Sequence, residues 1–272
     1  MPPARAALYG ATAVALATTG YSLAVRPVPF GWAACALFGY IALRLAGVLV
    51  LRLRMYADTV VRGPRGARGV ALTFDDGPHP VWTLRVLELL ANHRAVATFF
   101  VTGHKVEAYP HVLRAILDAG HGVGLHSYAH DRLFALRSER RVRQDLERGV
   151  AAIERVAGER PTFFRPPIGH TNPTIARVAD EMDLVVVGWS VAGLDGLASA
   201  RPAAVASRVR RGLSDGAIVL LHDAPERGDR EPAAIRALPE ILEAVHARRL
   251  ETVPLDRLVE AAGVQPSRSA KP

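Results

Sequence analysis

Two carboxylates stand side by side at the end of an apolar run in LTFDDGP, residues 72–78, and a Gly-Pro turn follows at once. Asp75 and Asp76 at the exit of a buried strand repel one another, so the pair calls for a cation, and a divalent metal is the natural candidate. Further along, HSYAH offers His126 and His130 at a spacing of four. A helical turn there would bring both imidazoles to one face, as metal ligation requires. FRPPIG, residues 164–169, adds Arg165, and LLHD, residues 220–223, adds His222. Two imidazoles and one carboxylate leave open positions for water and a substrate oxygen. Zinc suits that donor set best, and cobalt or nickel is accepted by the same ligands.

In this order, TFDDGP, HSxxH, RPPxG and LLH resemble the motifs of the NodB-type polysaccharide deacetylases, carbohydrate esterase family four, over residues 69–262. The resemblance implies Asp76, His126 and His130 as metal ligands, with Asp75 left uncoordinated as general base. It implies that Arg165 pairs with that base, that the backbone N–H after Pro167, on Ile168, faces the oxyanion, and that His222 is the general acid. Leu220 and Trp189 would line the acyl-methyl pocket. Plainer roles compete: Asp75 as an Asx-turn cap, Arg165 as a loop cap, His222 bonded to backbone and Trp189 as core. The chain also departs from the family pattern. Where members often carry DxxDW it reads AGLDG, residues 192–196, so Asp195 alone remains to orient His222 and an aromatic wall is missing. Ile168 replaces a frequent tyrosine, which a backbone donor tolerates.

The implied partner is an N-acetylated glycan, an N-acetylhexosamine polymer such as peptidoglycan or a chitin-like chain. A rival is a lipid-linked amino sugar carrying acetyl or formyl. From another class comes a catalytically silent glycan-binding membrane protein; the presence of both Asp75 and His222 argues against it.

Such residues need a scaffold that gathers them, and the rest of the chain supplies a regular one. Short β-rich runs at 69–74, 96–101, 122–126, 162–165, 184–189, 216–222 and 251–254 alternate with amphipathic helical patterns at 81–92, 110–119, 138–157, 172–182, 202–213, 231–248 and 255–262. Seven βα units in succession predict an α/β fold, a parallel barrel one unit short of eight. The resemblance implies the same distorted, incomplete (β/α)7 barrel, here at residues 69–264. Asp75 and Asp76, His126, Arg165, Trp189 and His222 all fall at the carboxyl ends of expected strands, where barrel active sites are built.

Before the barrel lie two uncharged or nearly uncharged stretches, 6–25 and 30–51, the second broken only by Arg44. Each is long enough to span a bilayer, so residues 1–60 are expected to form a two-span membrane anchor, with membrane lipid as a partner. Buried soluble helices are the alternative, and the first stretch could serve as a signal sequence. Residues 61–68 are expected to form a basic linker and 265–272 a disordered tail. Arg52, Arg54, Arg62, Arg65 and Arg68 follow the second span, which favours a cytoplasmic domain for a hairpin; a single span would place it outside. The 272-residue chain carries a formal charge of +8, but its arginines are interleaved with Glu and Asp as in SERRVRQDLER, a solvated helix face rather than a nucleic-acid stripe. With Cys35 as the single cysteine, an internal disulfide framework is excluded.

Overall fold

The computed structural model of the chain describes residues 1–197 and 199–260. Its centre is a curled, seven-stranded, all-parallel sheet in the order β5-β4-β3-β2-β1-β7-β6. The strands are β1 (Ala71–Asp75), β2 (Ala97–Val101), β3 (Gly122–Leu125), β4 (Phe163–Phe164), β5 (Val185–Val186), β6 (Val191–Ala192) and β7 (Ile218–His222). Helices α3 (Trp82–Asn92), α4 (Gly103–Ala108), α5 (Pro110–Asp118), α6 (Glu139–Ala157), α7 (Pro173–Glu181), α8 (Pro202–Gly212) and α9 (Ala233–Ala247) connect them, after α1 (Pro3–Ala24) and α2 (Phe30–Leu49) and before α10 (Leu255–Glu260).

Alternation along each strand divides the core in two. Leu72, Phe74, Phe99, Val219 and Leu221 pack outward under the helices. Ala71, Phe100, Phe163 and Ile218 point into the barrel, whose floor is plugged by Leu255, Leu258 and Val259 of α10. The helices read the complementary pattern: α6 buries Val142, Leu146, Val150 and Ile153 at helical spacing and ends on Gly158 in the left-handed region. Withdrawing one such leucine from water is worth about 1.5–3 kcal/mol. Because every second residue faces inward, continuing the inward rows of β1 and β7 to their carboxyl ends brings Asp75 and His222 to the barrel mouth as register partners.

Two expected strands differ. The 251–254 run makes a single parallel bridge, Val70 to Thr252, because Pro254 follows immediately and α10 begins at Leu255. The 184–189 run is instead part of a longer extended stretch. Val185 and Val186 pair with β4, and Val191 and Ala192 then pair with β7, so one stretch bridges the two sides of the sheet. The seam beneath it is filled from the N-terminal side. Val60 N–H donates to Val186 O (2.9 Å), Gly188 N–H to Val60 O (2.8 Å) and Gly63 N–H to Gly216 O (2.8 Å). Residues 61–68, expected as a spacer, therefore begin inside the fold, and Leu51, Met55, Ala57 and Thr59 ahead of them are buried.

Of the two N-terminal stretches, α2 is the described helix long and apolar enough to cross a membrane, with a mean hydropathy of 1.7 over its apolar window. Helix α1 is as long, but its alanines, threonines and glycines keep it short of that mark. The two expected spans thus reduce to one clear candidate. The Thr12 and Thr19 hydroxyls of α1 donate to Leu8 O and Ala15 O one turn back, and Thr12 Oγ1 also lies 3.0 Å from Tyr40 Oη on α2. Arg5 ties the start of α1 to the chain after α2, donating to Met55 O (3.1 Å) and pairing with Asp58 (3.0 Å). Helix α10 is described to Glu260; the end of the expected 255–262 helix and the 265–272 tail lie outside the described residues.

Candidate active site

Successive residues of a strand face opposite ways, yet Asp75 and Asp76 both line one cavity of about 640 Å³ at the barrel mouth. Asp76 makes this happen by leaving the strand at φ 77°, a left-handed conformation that a short acidic side chain tolerates. Gly77 follows because nothing larger fits: a Cβ there would lie 2.2 Å from Asp223 Oδ2.

His126 follows β3, its backbone N–H held by Val101 O (2.8 Å). Its Nδ1 lies 2.7 Å from Arg165 O, so that nitrogen carries the proton and Nε2 is left bare toward Asp76 Oδ1 (3.6 Å). Burial, aided by the neighbouring His130, pushes the His126 imidazole down to about 3, which keeps it neutral and able to donate its lone pair. His130 Nε2 lies 3.2 Å from the same Asp76 oxygen. The helical turn expected across HSYAH is not formed. Ser127 (φ 67°) and His130 (φ 49°) are left-handed, and the loop folds back on itself, with Tyr128 and Ala129 N–H donating to Asp145 of α6 at 2.7 and 3.1 Å. Ligand atoms of Asp76, His126 and His130 all fall within 4.8 Å of one another. Asp76 Oδ1 is buried with no hydrogen-bond donor. An orphaned carboxylate oxygen beside a bare imidazole nitrogen fits a cation, so the donor set passes the test for a metal site.

Arg165, fully buried after β4, holds the second carboxylate. Its Nη1 donates to Asp75 Oδ1 (2.6 Å) and Thr73 Oγ1 (2.9 Å), its Nη2 donates to Gly188 O (3.0 Å), and its plane covers the Phe100 ring at 4.1 Å. Burial pushes the Asp75 carboxyl up, opposed by the Arg165 guanidinium. Beside Asp75, on the adjacent strand β7, His222 rests on Asp195, whose Oδ2 accepts from the His222 backbone N–H (2.8 Å) and whose Oδ1 lies 3.1 Å from Nδ1. Burial disfavours the imidazolium, but Asp195, with the charges of Asp76 and Asp75 behind it, outweighs that and raises His222 to about 10.

Ile168, Trp189 and Leu220 line the cavity, whereas Pro167 is buried behind the loop and does not reach it. Ile168 is a β-branched residue at φ 50°, a strained position, and Gly169 at φ 72° completes the turn. A Cβ on Gly169 would lie 2.4 Å from Trp189 Cη2, so glycine sets how closely the loop approaches the tryptophan.

Several groups at the site were given no role by the sequence. Lys105 Nζ donates to Asp76 O (2.7 Å) and Pro225 O (2.9 Å), tying the β1 turn to the loop after β7. One signal could have found it: Lys105 and Lys271 are the only lysines in an arginine-rich chain. Asp223, fully buried and pushed up to about 7 by that burial, accepts from the Thr83 hydroxyl. Glu226 lies between His130 Nδ1 (3.7 Å) and Arg132, which donates to it from Nε at 2.8 and 2.9 Å. At 3.7 Å it makes no hydrogen bond to the imidazole, whose Nδ1 is buried without a hydrogen-bond partner, but it presents a negative charge to that nitrogen.

Comparison with known proteins bears on the same residues. The polysaccharide deacetylase family model matches residues 62–187. A peptidoglycan-N-acetylglucosamine deacetylase of Bacillus cereus is 35% identical over 182 residues, covering 65% of this chain and 84% of that protein. A chitooligosaccharide deacetylase of Sinorhizobium fredii is 35% identical over 202 residues, 71% of this chain and 93% of that one. Among solved structures, a family 4 acetyl xylan esterase from Clostridium thermocellum, in complex with a cobalt ion, superposes with a TM-score of 0.66 at 35% identity, covering 75% of this chain and 96% of that one. With the carboxylate pair, the two histidines and the arginine all inside the matched region, the chain belongs to the NodB-type polysaccharide deacetylases of carbohydrate esterase family four, hydrolases of amide carbon–nitrogen bonds.

Proposed function

We propose that this chain is a membrane-anchored, metal-dependent deacetylase that removes the N-acetyl group from an N-acetylhexosamine glycan. The observation that carries the proposal is the convergence of Asp76, His126 and His130 on one point, with Asp75 beside them but engaged by Arg165. Asp76, His126 and His130 would hold a divalent ion, zinc first, with cobalt or nickel accepted, which when bound would supply Lewis-acid polarisation of the acyl carbonyl and ease deprotonation of water. Asp75 takes the proton from the attacking water, and Arg165 keeps that carboxylate ionised and aimed. The Ile168 N–H donates to the oxygen as negative charge gathers on it. Leu220 and Trp189 enclose the acetyl methyl. His222, held by Asp195, then gives its proton to the sugar nitrogen as the carbon–nitrogen bond breaks, and acetate and a free amine leave.

The substrate class draws support from the relatives, whose names specify peptidoglycan and chitooligosaccharide deacetylation. The anchor draws support from α2, which exposes Phe30, Trp32, Leu37, Phe38, Ile41 and Leu45, with α1 running alongside it. The test is acetate release from chito-oligosaccharides or peptidoglycan, with and without chelator. The expected result is activity lost on chelation, regained with zinc or cobalt, and absent in Asp75→Asn. Release that survives both chelation and the substitution ends the mechanism.

A further inference from the structure

Large apolar side chains exposed outside the N-terminal hairpin are not scattered over the barrel. Among the described residues, Leu133 and Leu136 lie on the loop after β3, Ile168 on the loop after β4, and Leu194 and Leu197 on the loop after β6. The remaining two, Val81 and Leu84, open α3 directly after the β1 motif. All of these segments leave the carboxyl ends of strands, so the exposed apolar side chains gather at the end of the barrel that carries the cavity, and Ile168, Leu194 and Leu197 line it. Leu136 is 79% exposed and Leu197 60%. A patch of that kind marks an interaction surface.

Hydrogen bonds join these loops to the base of the hairpin. Thr171 N–H, just past Ile168 and Gly169, donates to Val48 O at the end of α2 (3.1 Å). The next residue, Asn172, donates from Nδ2 to Ala135 O between the two exposed leucines (2.7 Å). A bilayer containing α2 ends near Leu49, at the level of these loops. Arg52 and Arg54 are exposed immediately behind it, where anionic headgroups lie. The exposed large apolar side chains of these loops are all aliphatic, which suits acyl chains.

We propose that the loops around the mouth dip into the surface of an anionic bilayer, so that the cavity receives an amide-bearing sugar carried on a membrane lipid. The docking continues the surface begun by α2, and the substrate assignment rests on the anchored-deacetylase reading above.

The test uses the full chain in nanodiscs of phosphatidylcholine and phosphatidylglycerol. On a Cys35→Ser background, an environment-sensitive fluorophore is attached at Leu136→Cys and, as a control at the opposite end of the barrel, at Glu159→Cys. The label at position 136 is expected to shift its emission to shorter wavelength and to be quenched by nitroxide lipids, with neither change at 159. Equal solvation of the two labels overturns the docking. A second arm compares an N-acetylglucosaminyl phospholipid in the nanodisc with a soluble chito-oligosaccharide. Replacing Leu133 and Leu136 together by Asp lowers turnover of the lipid-borne sugar about tenfold, as expected for losing apolar side chains from a lipid phase, and leaves the soluble one unchanged. Unchanged turnover of both overturns the substrate assignment. Failure of the unsubstituted chain on both substrates counts against the deacetylase reading itself, while the fluorophore still decides the docking.

Discussion

The two walls of the cavity are built from the same kinds of group in opposite order. On the wall formed by β1 and β4 a carboxylate, Asp75, faces the cavity and a cation, Arg165, stands behind it at 2.6 Å. On the wall formed by β7 an imidazole, His222, faces the cavity and a carboxylate, Asp195, stands behind it at 3.1 Å. Asp75 and His222 are register partners on adjacent strands, so position in the fold does not distinguish them. What differs is the buried partner. Burial works against charge on both, and in each case the group behind favours the ionised form. One strand end thereby presents a proton acceptor and its neighbour a held proton.

That contrast is broken most severely at Asp75. Asp75→Asn is expected to lower kcat by about 10²–10⁴-fold at every pH, because no proton acceptor remains; a pH–rate profile of the purified protein checks this. Removing the group behind it comes next. Arg165→Met strands a buried carboxylate and is expected to cost about 3–5 kcal/mol of stability, read from urea unfolding. The neighbouring strand end should respond to pH instead. His222 is raised above the ordinary imidazole range to about 10, so its contribution to stability is complete below the unfolded imidazole value and is lost as pH rises through about 10. The alkaline limb of the rate profile follows the same proton, and Asp195→Asn moves that limb to lower pH. The smallest effect is expected at Glu226→Gln, which removes the negative charge facing His130 and weakens retention of an added divalent ion by at most about tenfold, measured by competition with a chromophoric chelator.

What was legible in the chain was local. An apolar run broken by two aspartates announces a strand end, and the alternating βα pattern announces the parallel sheet, because both depend on neighbours in sequence. The spacing of His126 and His130 picked out two imidazoles that do converge with Asp76, but through a conformation other than the helical turn it suggested. Two left-handed residues and the grip of Asp145 do what a helix was expected to do, and neither shows in a spacing. Lys105 and Glu226 stayed hidden because their partners are distant in sequence and no turn or period marks them; Asp223, though inside LLHD, gave no sign of its contact with Thr83. Strand β6 stayed hidden for a related reason: a two-residue strand is defined by the β7 backbone it meets, not by its own composition.

The seam beneath β5 and β6 bears on how this enzyme can be cut for study. Val60, Arg62 and Gly63 complete backbone pairing there, Arg62 reaches Asp215 O at 2.6 Å, and Leu51 and Val61 lie against Gly188, whose carbonyl accepts from Arg165. A fragment trimmed to where the recognisable motifs start would remove the keystone of the arch that carries the arginine behind Asp75. A catalytic fragment that keeps this seam therefore begins at the foot of the second helix, and the N-terminal helices and the barrel share a border rather than a tether.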